Sequence, residues 1–179
     1  MSHTMKITSI ITFVLTSVFC HIYITTNNSI FLTLAISFGV TAYHFIMRLI
    51  VGYIVHSILH NKVNYNRKYF QPKKFEAKLY KFLKVKKWKD KMPTYNSEFY
   101  STEKHTLEEI ASVTCQAEIV HKIIVVLSFL PILLTIYFDS FWVFVITSVI
   151  SALIDTLFII MQRYNRPRII KLINIKNRR

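Results

Sequence analysis

The stretch FWVFVITSVISALIDTLFIIM, Phe141–Met161, decides the fold. It holds a single charged residue, Asp155, and as an α-helix it is long enough to cross the ~30 Å hydrocarbon layer of a bilayer. Three other stretches are similarly apolar. We therefore predict an all-α integral membrane protein, a single membrane domain over residues 1–179 with four transmembrane helices. Their predicted bounds are about 7–24, 30–59, 119–138 and 141–162, which leaves a cytoplasmic loop over 60–118 and a cytoplasmic tail over 163–179.

The charge of the chain is segregated from its apolar sequence. Of the 179 residues 53% are hydrophobic, yet the net charge is +14, and so many apolar residues would overfill a soluble core of this size. Residues 60–118 contain 13 Lys and Arg and the tail contains seven, whereas the turns at 25–29 and 139–140 contain none. Because basic loops stay in the cytoplasm, we predict that both termini and the long loop are cytoplasmic. Only Cys20 and Cys115 are present, which excludes a disulfide framework.

The basic loop contains one segment with helical periodicity. Within Lys73–Met92, Phe75, Leu79 and Phe82 recur at helical spacing among nine lysines. This pattern predicts an interfacial amphipathic helix that lies on an anionic leaflet, and the alternative is a solvated basic loop. Anionic membrane lipids are therefore expected partners. Nucleic acid is not expected, because the basic residues adjoin the bilayer.

Several polar residues fall in or beside the apolar stretches, where each is costly and needs a reason. They are His44 and Arg48 on the second span, Glu118 and His121 at the start of the third, and Asp155, Gln162 and Arg166 on the fourth. Counting residues along the helices places most of them near the cytoplasmic boundary. A lone intramembrane carboxylate such as Asp155 is a functional candidate, although it could simply pair with Arg48 or a nearby hydroxyl.

Two spacings invite a metal interpretation. His56-x3-His60 puts two imidazoles on one helical face, and Glu118-x2-His121 is half of a carboxylate-bridged metal motif. A membrane di-iron enzyme needs more well-placed histidines than this chain has, so we expect no metal. The only glycines, Gly39 and Gly52, lie in the second span, which excludes a glycine-rich phosphate loop.

Two motifs carry a family resemblance. VKKWKDKMP at Val85–Pro93 and QRYNRPR at Gln162–Arg168 resemble signatures of the glycosyl-4,4'-diaponeurosporenoate acyltransferase family, small bacterial membrane enzymes of staphyloxanthin-type carotenoid synthesis. Between them, Ala117-Glu118-x-x-His121 matches the family's A-E-x-x-H element. Order and spacing agree from about Phe70 to Leu172. Departures include Lys122 in place of a tryptophan and Asp155 in place of an asparagine, which leave the acceptor open between a carotenoid glucoside and another glycolipid.

The resemblance implies a membrane acyltransferase in the bacterial cell membrane. It would move a fatty acyl chain from an acyl thioester to a sugar hydroxyl of a glycosylated carotenoid or a related glycolipid, at the cytoplasmic membrane face. Acyl-CoA is the expected cosubstrate, with acyl carrier protein as the other possible donor, and no cofactor is expected.

Acyl transfer to an alcohol needs a base for the hydroxyl proton and hydrogen-bond donors for the oxyanion. On this hypothesis His121 is the base, and Glu118 either orients His121 or binds the sugar. The proposed oxyanion donors are Asn165, Gln162 and Arg163. The proposed ligands of the CoA phosphates and adenine are Arg166, Arg168, Lys86, Lys87 and Trp88. The competing interpretation is a non-enzymatic four-helix lipid-binding scaffold or a small transporter.

Overall fold

The computed structural model describes residues 2–94 and 97–178, and over these residues it is helical without a β-strand. Four helices are long and apolar enough to cross a membrane, which confirms the predicted all-α, four-span fold class. The helices are α1 Ser2–Thr26, α2 Ser29–Leu59, α3 Glu76–Phe82, α4 Val85–Trp88, α5 Leu107–Leu127 and α6 Phe141–Lys176. Short 3₁₀ turns occupy Lys68–Phe70, Lys89–Lys91, Ser97–Tyr100 and Leu130–Ile136.

Asparagines make the tight reversal between α1 and α2. Asn27 adopts a left-handed φ of 51°, a conformation that asparagine tolerates better than most residues, and it ends α1. The Asn28 side chain then accepts a hydrogen bond from the Ile30 amide at 3.0 Å, which caps the first turn of α2. The reversal therefore needs no glycine.

Helix α5 starts earlier than the apolar pattern predicts. Its N-terminus is a capping box in which the Thr106 amide donates to Glu109 at 2.8 Å and the Glu109 amide donates to the Thr106 hydroxyl at 3.2 Å. The first turns of α5 are therefore helical although their residues are polar and lie before the apolar stretch. At the other end α5 stops at Leu127, and Pro131 lies in the 3₁₀ turn that follows.

The amphipathic segment of the loop is broken in two. We predicted one helix over Lys73–Met92, but α3 ends at Phe82 and α4 begins at Val85. Lys84 between them has φ 50° and ψ 40°, a left-handed conformation that no α-helix can continue through. Hydrophobic spacing does not encode this break, so the prediction of a single helix was wrong in its extent.

The chain forms two compact units, each with its own core. One consists of Tyr53–Lys122 and the chain from Asp155 onward, and its core includes Val63, Phe70 and Cys115. The other consists of Ser2–Gly52 and Ile123–Ile154, and its core includes Ile36, Val40 and Phe144. The single membrane domain and the exact membrane-embedded residues stay predictions.

The left-handed position predicts a stability difference. Lys84→Gly should leave the melting temperature unchanged or raise it, because glycine adopts this φ without strain. Lys84→Val should lower the melting temperature by a few degrees, since a β-branched residue resists the conformation at a cost of about 1–2 kcal/mol. The melting temperatures are measured by thermal unfolding in detergent. Equal melting temperatures for Lys84→Gly and Lys84→Val would contradict the left-handed conformation of residue 84.

Candidate active site

His121 and Asp155 form a hydrogen-bonded pair between α5 and α6. Nδ1 of His121 lies 2.8 Å from Oδ1 of Asp155. The carboxylate is almost fully buried, with 1% of its side chain exposed, whereas the imidazole keeps 21% exposed. The imidazole ring also stacks on Phe158, with centroids 4.7 Å apart and planes 6° from parallel. The ring orientation is therefore fixed on two sides, and no described residue binds Nε2.

This contact assigns the orienting role to a residue other than Glu118. We expected Glu118 either to hold His121 or to bind sugar, but Asp155 holds the imidazole, and cations surround the Glu118 carboxylate. The physical reason is competition for the Glu118 carboxylate, because Arg163, Arg166 and Lys122 already bind its oxygens. Asp155 reaches His121 from the facing helix instead.

Glu118 is the centre of a buried charge cluster, which we define as Glu76, Glu118, Arg163 and Arg166. The Glu118 side chain is fully buried, and Arg163 and Arg166 each approach one of its oxygens at 2.7 Å. Lys122, one turn further along α5, also hydrogen-bonds to this carboxylate. A buried carboxylate is stable only when it is paired in this way, so the cluster fixes the packing of α5 against α6.

The same cluster ties the basic loop to α6. Arg163 donates through Nε to Glu76 at 2.7 Å and through Nη2 to the Gln71 carbonyl at 3.0 Å. Tyr80 donates to the second Glu76 oxygen at 2.9 Å. Burial, and then the hydrogen bond to Glu76, raise the pKa of Tyr80, so its hydroxyl stays protonated and remains a donor. The start of α3 is therefore held against α6 by charge-assisted bonds.

The predicted oxyanion donors lie in different surroundings. Gln162 is buried, and its side-chain amide donates to the Tyr100 hydroxyl at 3.2 Å. Asn165 is half-buried, and no described residue hydrogen-bonds to its side chain. Arg163 bridges two carboxylates and is only 11% exposed, so its donors are committed to the protein. Of the three, Asn165 is partly exposed without a described hydrogen-bond partner, and the Gln162 amide keeps one N–H beyond its bond to Tyr100.

The predicted phosphate ligands divide in the same way. Arg166 is fully buried, donates to the Thr114 side chain and carbonyl at 2.9 Å, and pairs with Glu118. A phosphate cannot reach it without displacing these partners, so the structure gives Arg166 a structural role. Arg168 is exposed and lies over the Tyr164 ring, 3.5 Å from its centroid.

Lys86 and Lys87 remain open to a ligand. Both lie exposed on α4. Trp88 is half-buried and donates from its indole nitrogen to the Leu83 carbonyl at 3.0 Å. This bond holds the ring against the break between α3 and α4, so anchoring the loop is one role of Trp88.

His44 and Arg48 belong to the second unit. His44 is buried, and its backbone carbonyl accepts a hydrogen bond from Arg48 at 2.9 Å. Arg48 also donates to the Ser151 hydroxyl at 2.8 Å, and that hydroxyl lies 2.9 Å from Ser128. These contacts satisfy polar groups between apolar helices of this unit.

The spacings considered for a metal serve other contacts. His56 is 3.3 Å from the Gln116 amide, and Glu118 binds arginines. Within residues 2–94 and 97–178 no group of three or more His, Cys, Asp or Glu side chains is arranged to hold a metal ion.

Glu76 and Tyr100 are among the residues of the site that the sequence analysis did not predict. Glu76 had a usable signal, because it is the only acidic residue between His60 and Lys89 in a run of lysines. Tyr100 had none, since a tyrosine in a polar loop has many possible roles. Burial raises the pKa of Tyr100, so its hydroxyl is protonated beside Gln162.

The buried charge cluster predicts that Arg166 cannot be replaced even by lysine. Arg166→Lys keeps the charge but loses the planar fork that reaches Thr114 and Glu118 together. We expect a loss of about 3 kcal/mol of stability, seen as a lower melting temperature in detergent. Arg178→Lys, at an exposed position on the tail, is the matched control and should unfold like the wild type. Equal melting temperatures for the two variants would show that the cluster does not stabilise the fold.

Comparison with known proteins identifies the family. A family model described as glycosyl-4,4'-diaponeurosporenoate acyltransferase matches residues 66–175, more than half of the chain. No curated protein and no solved structure matches. The matched range contains the His121–Asp155 pair and the whole buried charge cluster. The chain therefore belongs to the glycosyl-4,4'-diaponeurosporenoate acyltransferase family and is an acyltransferase of carotenoid biosynthesis.

Proposed function

We propose that the protein transfers a fatty acyl chain from an acyl thioester to a sugar hydroxyl of a glycosylated carotenoid, or of a related glycolipid. The reaction takes place at the cytoplasmic face of the bacterial cell membrane, with both termini cytoplasmic. The observation that carries the proposal is the His121–Asp155 pair, which offers an oriented imidazole at the surface of a membrane-spanning helix pair. O-acyl transfer needs one such proton acceptor beside the two lipid substrates.

His121 is the proposed general base, and Asp155 is its positioning residue. With Asp155 as the acceptor, Nδ1–H is the donor of this contact, and in the neutral imidazole the Nε2 lone pair is then left for the substrate proton. Nε2 takes the proton of the sugar hydroxyl while the oxygen attacks the thioester carbonyl. Collapse of the tetrahedral intermediate breaks the C–S bond, and the imidazolium returns the proton to the departing thiolate. An ester and a free thiol result, and the histidine is regenerated.

Gln162 and Asn165 are the proposed donors to the oxyanion. Gln162 is positioned by the Tyr100 hydroxyl, and it lies one helical turn from Phe158, the residue that stacks on His121. Donors fixed in advance stabilise the developing charge more effectively than mobile ones. Arg163 supports this arrangement through Glu118 rather than by contact with the substrate.

Lys86, Lys87 and Arg168 are the proposed contacts of the acyl donor. All three are exposed cations, and acyl-CoA and acyl carrier protein both present phosphate or acidic groups. The ion pair between Arg163 and Glu76 holds α3, and with it the adjoining α4, near the rest of this unit. The donor head group would then lie close to the membrane surface that accepts its acyl chain.

The base assignment predicts the effect of three variants on carotenoid ester formation. His121→Ala should reduce kcat by about 10²–10⁴-fold, because general base catalysis typically contributes that much. Asp155→Leu should reduce kcat substantially with little change in the KM of the donor. Asp155→Asn keeps an oxygen that accepts a hydrogen bond from Nδ1, so we expect it to restore most of the activity lost in Asp155→Leu.

The measurement is a mass-resolved lipid extract from cells that make glucosylated diaponeurosporenoate. Wild type should yield a product heavier by one fatty acyl group, and His121→Ala should not, at equal membrane expression. Full activity of His121→Ala would remove it as the base. A wild type that forms no ester but drives net flux in vesicles would favour the transporter interpretation.

The donor assignment predicts a change in KM. Replacing Lys86 and Lys87 together by alanine should raise the KM for acyl-CoA several-fold and change kcat little, because the lysines bind the head group in ground and transition state alike. Lys171→Ala with Lys176→Ala removes the same charge from exposed positions on α6 and is the control. The KM is obtained from initial rates at varied acyl-CoA concentration. An unchanged KM in the Lys86/Lys87 variant would show that these lysines do not bind the acyl donor.

A further inference from the structure

Helix α3 has a face turned toward the protein and an exposed aromatic face. Glu76 and Tyr80, one turn apart, face the protein, where Glu76 is 4% exposed and binds Arg163. Phe75 and Phe82 lie on a second face, about 100° away around the helix axis from Glu76. They are 59% and 82% exposed. Because Glu76 is held by Arg163, the helix cannot turn to bury these aromatic rings.

Exposed aromatics are unusual in this part of the chain. Most of the large apolar side chains that the structure leaves exposed belong to α1, α2, α5, α6 or the Leu130–Ile136 turn, all within the candidate membrane spans. Outside these elements, the exposed large apolar side chains among the described residues are Phe129, Tyr137 and Phe138, which border the Leu130–Ile136 turn, and Tyr69, Phe75 and Phe82 in the basic loop. Phe75 and Phe82 lie on the same side of one short helix, which makes a compact apolar patch.

Positive charge surrounds this patch. Exposed lysines occur on α3 and α4 and directly beside them, at Lys73, Lys74, Lys78, Lys81, Lys84, Lys86 and Lys87. Within residues 73–87 the one acid, Glu76, is buried and paired with Arg163. The patch therefore combines apolar anchors with an uncompensated cationic rim, which is the composition of surfaces that lie at an anionic lipid interface.

We propose that α3 docks on an anionic phospholipid leaflet, with Phe75 and Phe82 inserted at the headgroup level and Lys78 and Lys81 on the lipid phosphates. A second copy of this chain fits the patch poorly, because like faces would bring lysines against lysines. An anionic leaflet supplies both an apolar layer and the opposite charge. The buried Arg163–Glu76 pair sets which side of α3 meets the lipid.

Docking has a consequence for the reaction. If α3 lies on the leaflet, the adjoining lysines of α4 are held at the level where an acyl donor would deliver its chain. The docking itself does not depend on the acyl-transfer proposal, and it can be measured without turnover.

The test places a fluorophore on the docking face. The full-length protein carries Cys20→Ser, which removes the exposed thiol and leaves the buried Cys115. Phe82→Cys is labelled with a small apolar fluorophore, and Glu103→Cys, an exposed position in the same loop, is the matched control. Each protein is inserted, as one copy or as two copies per disc, into nanodiscs of phosphatidylcholine with or without phosphatidylglycerol. A headgroup nitroxide lipid and aqueous iodide serve as the two quenchers.

We expect lipid nitroxide to quench the probe at position 82 at least about threefold more than the probe at position 103 in anionic discs. Lys78→Glu with Lys81→Glu should abolish the gain due to phosphatidylglycerol, and Phe75→Ser should weaken it. Equal quenching at positions 82 and 103 would overturn the proposal. So would iodide protection that appears only when a disc holds two copies, since the occupant would then be a second chain. If the wild type forms no ester but the probe at position 82 is still quenched by the lipid nitroxide, the result counts against the proposed reaction and leaves the docking proposal standing.

Discussion

The buried carboxylate of Glu118 is the constraint on which the rest of its unit, Tyr53–Lys122 with the chain from Asp155 onward, depends. A charge removed from water is costly, and here Arg163 and Arg166 offset that cost from the facing helix. Because the arginine forks match a carboxylate only in a narrow range of geometry, the pairing fixes the register of α5 against α6. Arg163 extends the same constraint to the loop through Glu76. One carboxylate thus orders three segments that are far apart in sequence.

The proposed chemistry depends on that register. His121 lies close to Glu118 on α5, and Asp155 lies about two turns before Arg163 on α6, so antiparallel packing that pairs Glu118 with Arg163 also brings His121 to Asp155. Acyl transfer from a thioester starts with an activated donor, and the protein has to supply proton transfer and orientation rather than a nucleophile of its own. The structure offers an imidazole fixed by a carboxylate and an aromatic ring.

Charges of the two kinds serve different purposes in this unit. Arg163 and Arg166 are at most 11% exposed and are paired with carboxylates, whereas the lysines of α3 and α4, like Arg168, are exposed. The division follows from the side chains themselves, since guanidinium is weakly hydrated and forms planar paired bonds while ammonium is strongly hydrated. Glu76, a buried acid within a run of lysines, pairs with Arg163 and so orients the short helix α3, which carries exposed lysines.

The sequence by itself determined the four apolar helices, the segregation of charge and the family, because hydropathy and the QRYNRPR string depend only on the order of residues. It also singled out His121, Glu118 and Asp155 as costly polar groups. Only the tertiary structure decided their partners, giving Asp155 rather than Glu118 to His121 and burying Arg166 away from any phosphate. The break at Lys84 was likewise decided by backbone conformation. Pairing between residues distant in sequence is set by packing, and no local pattern records it.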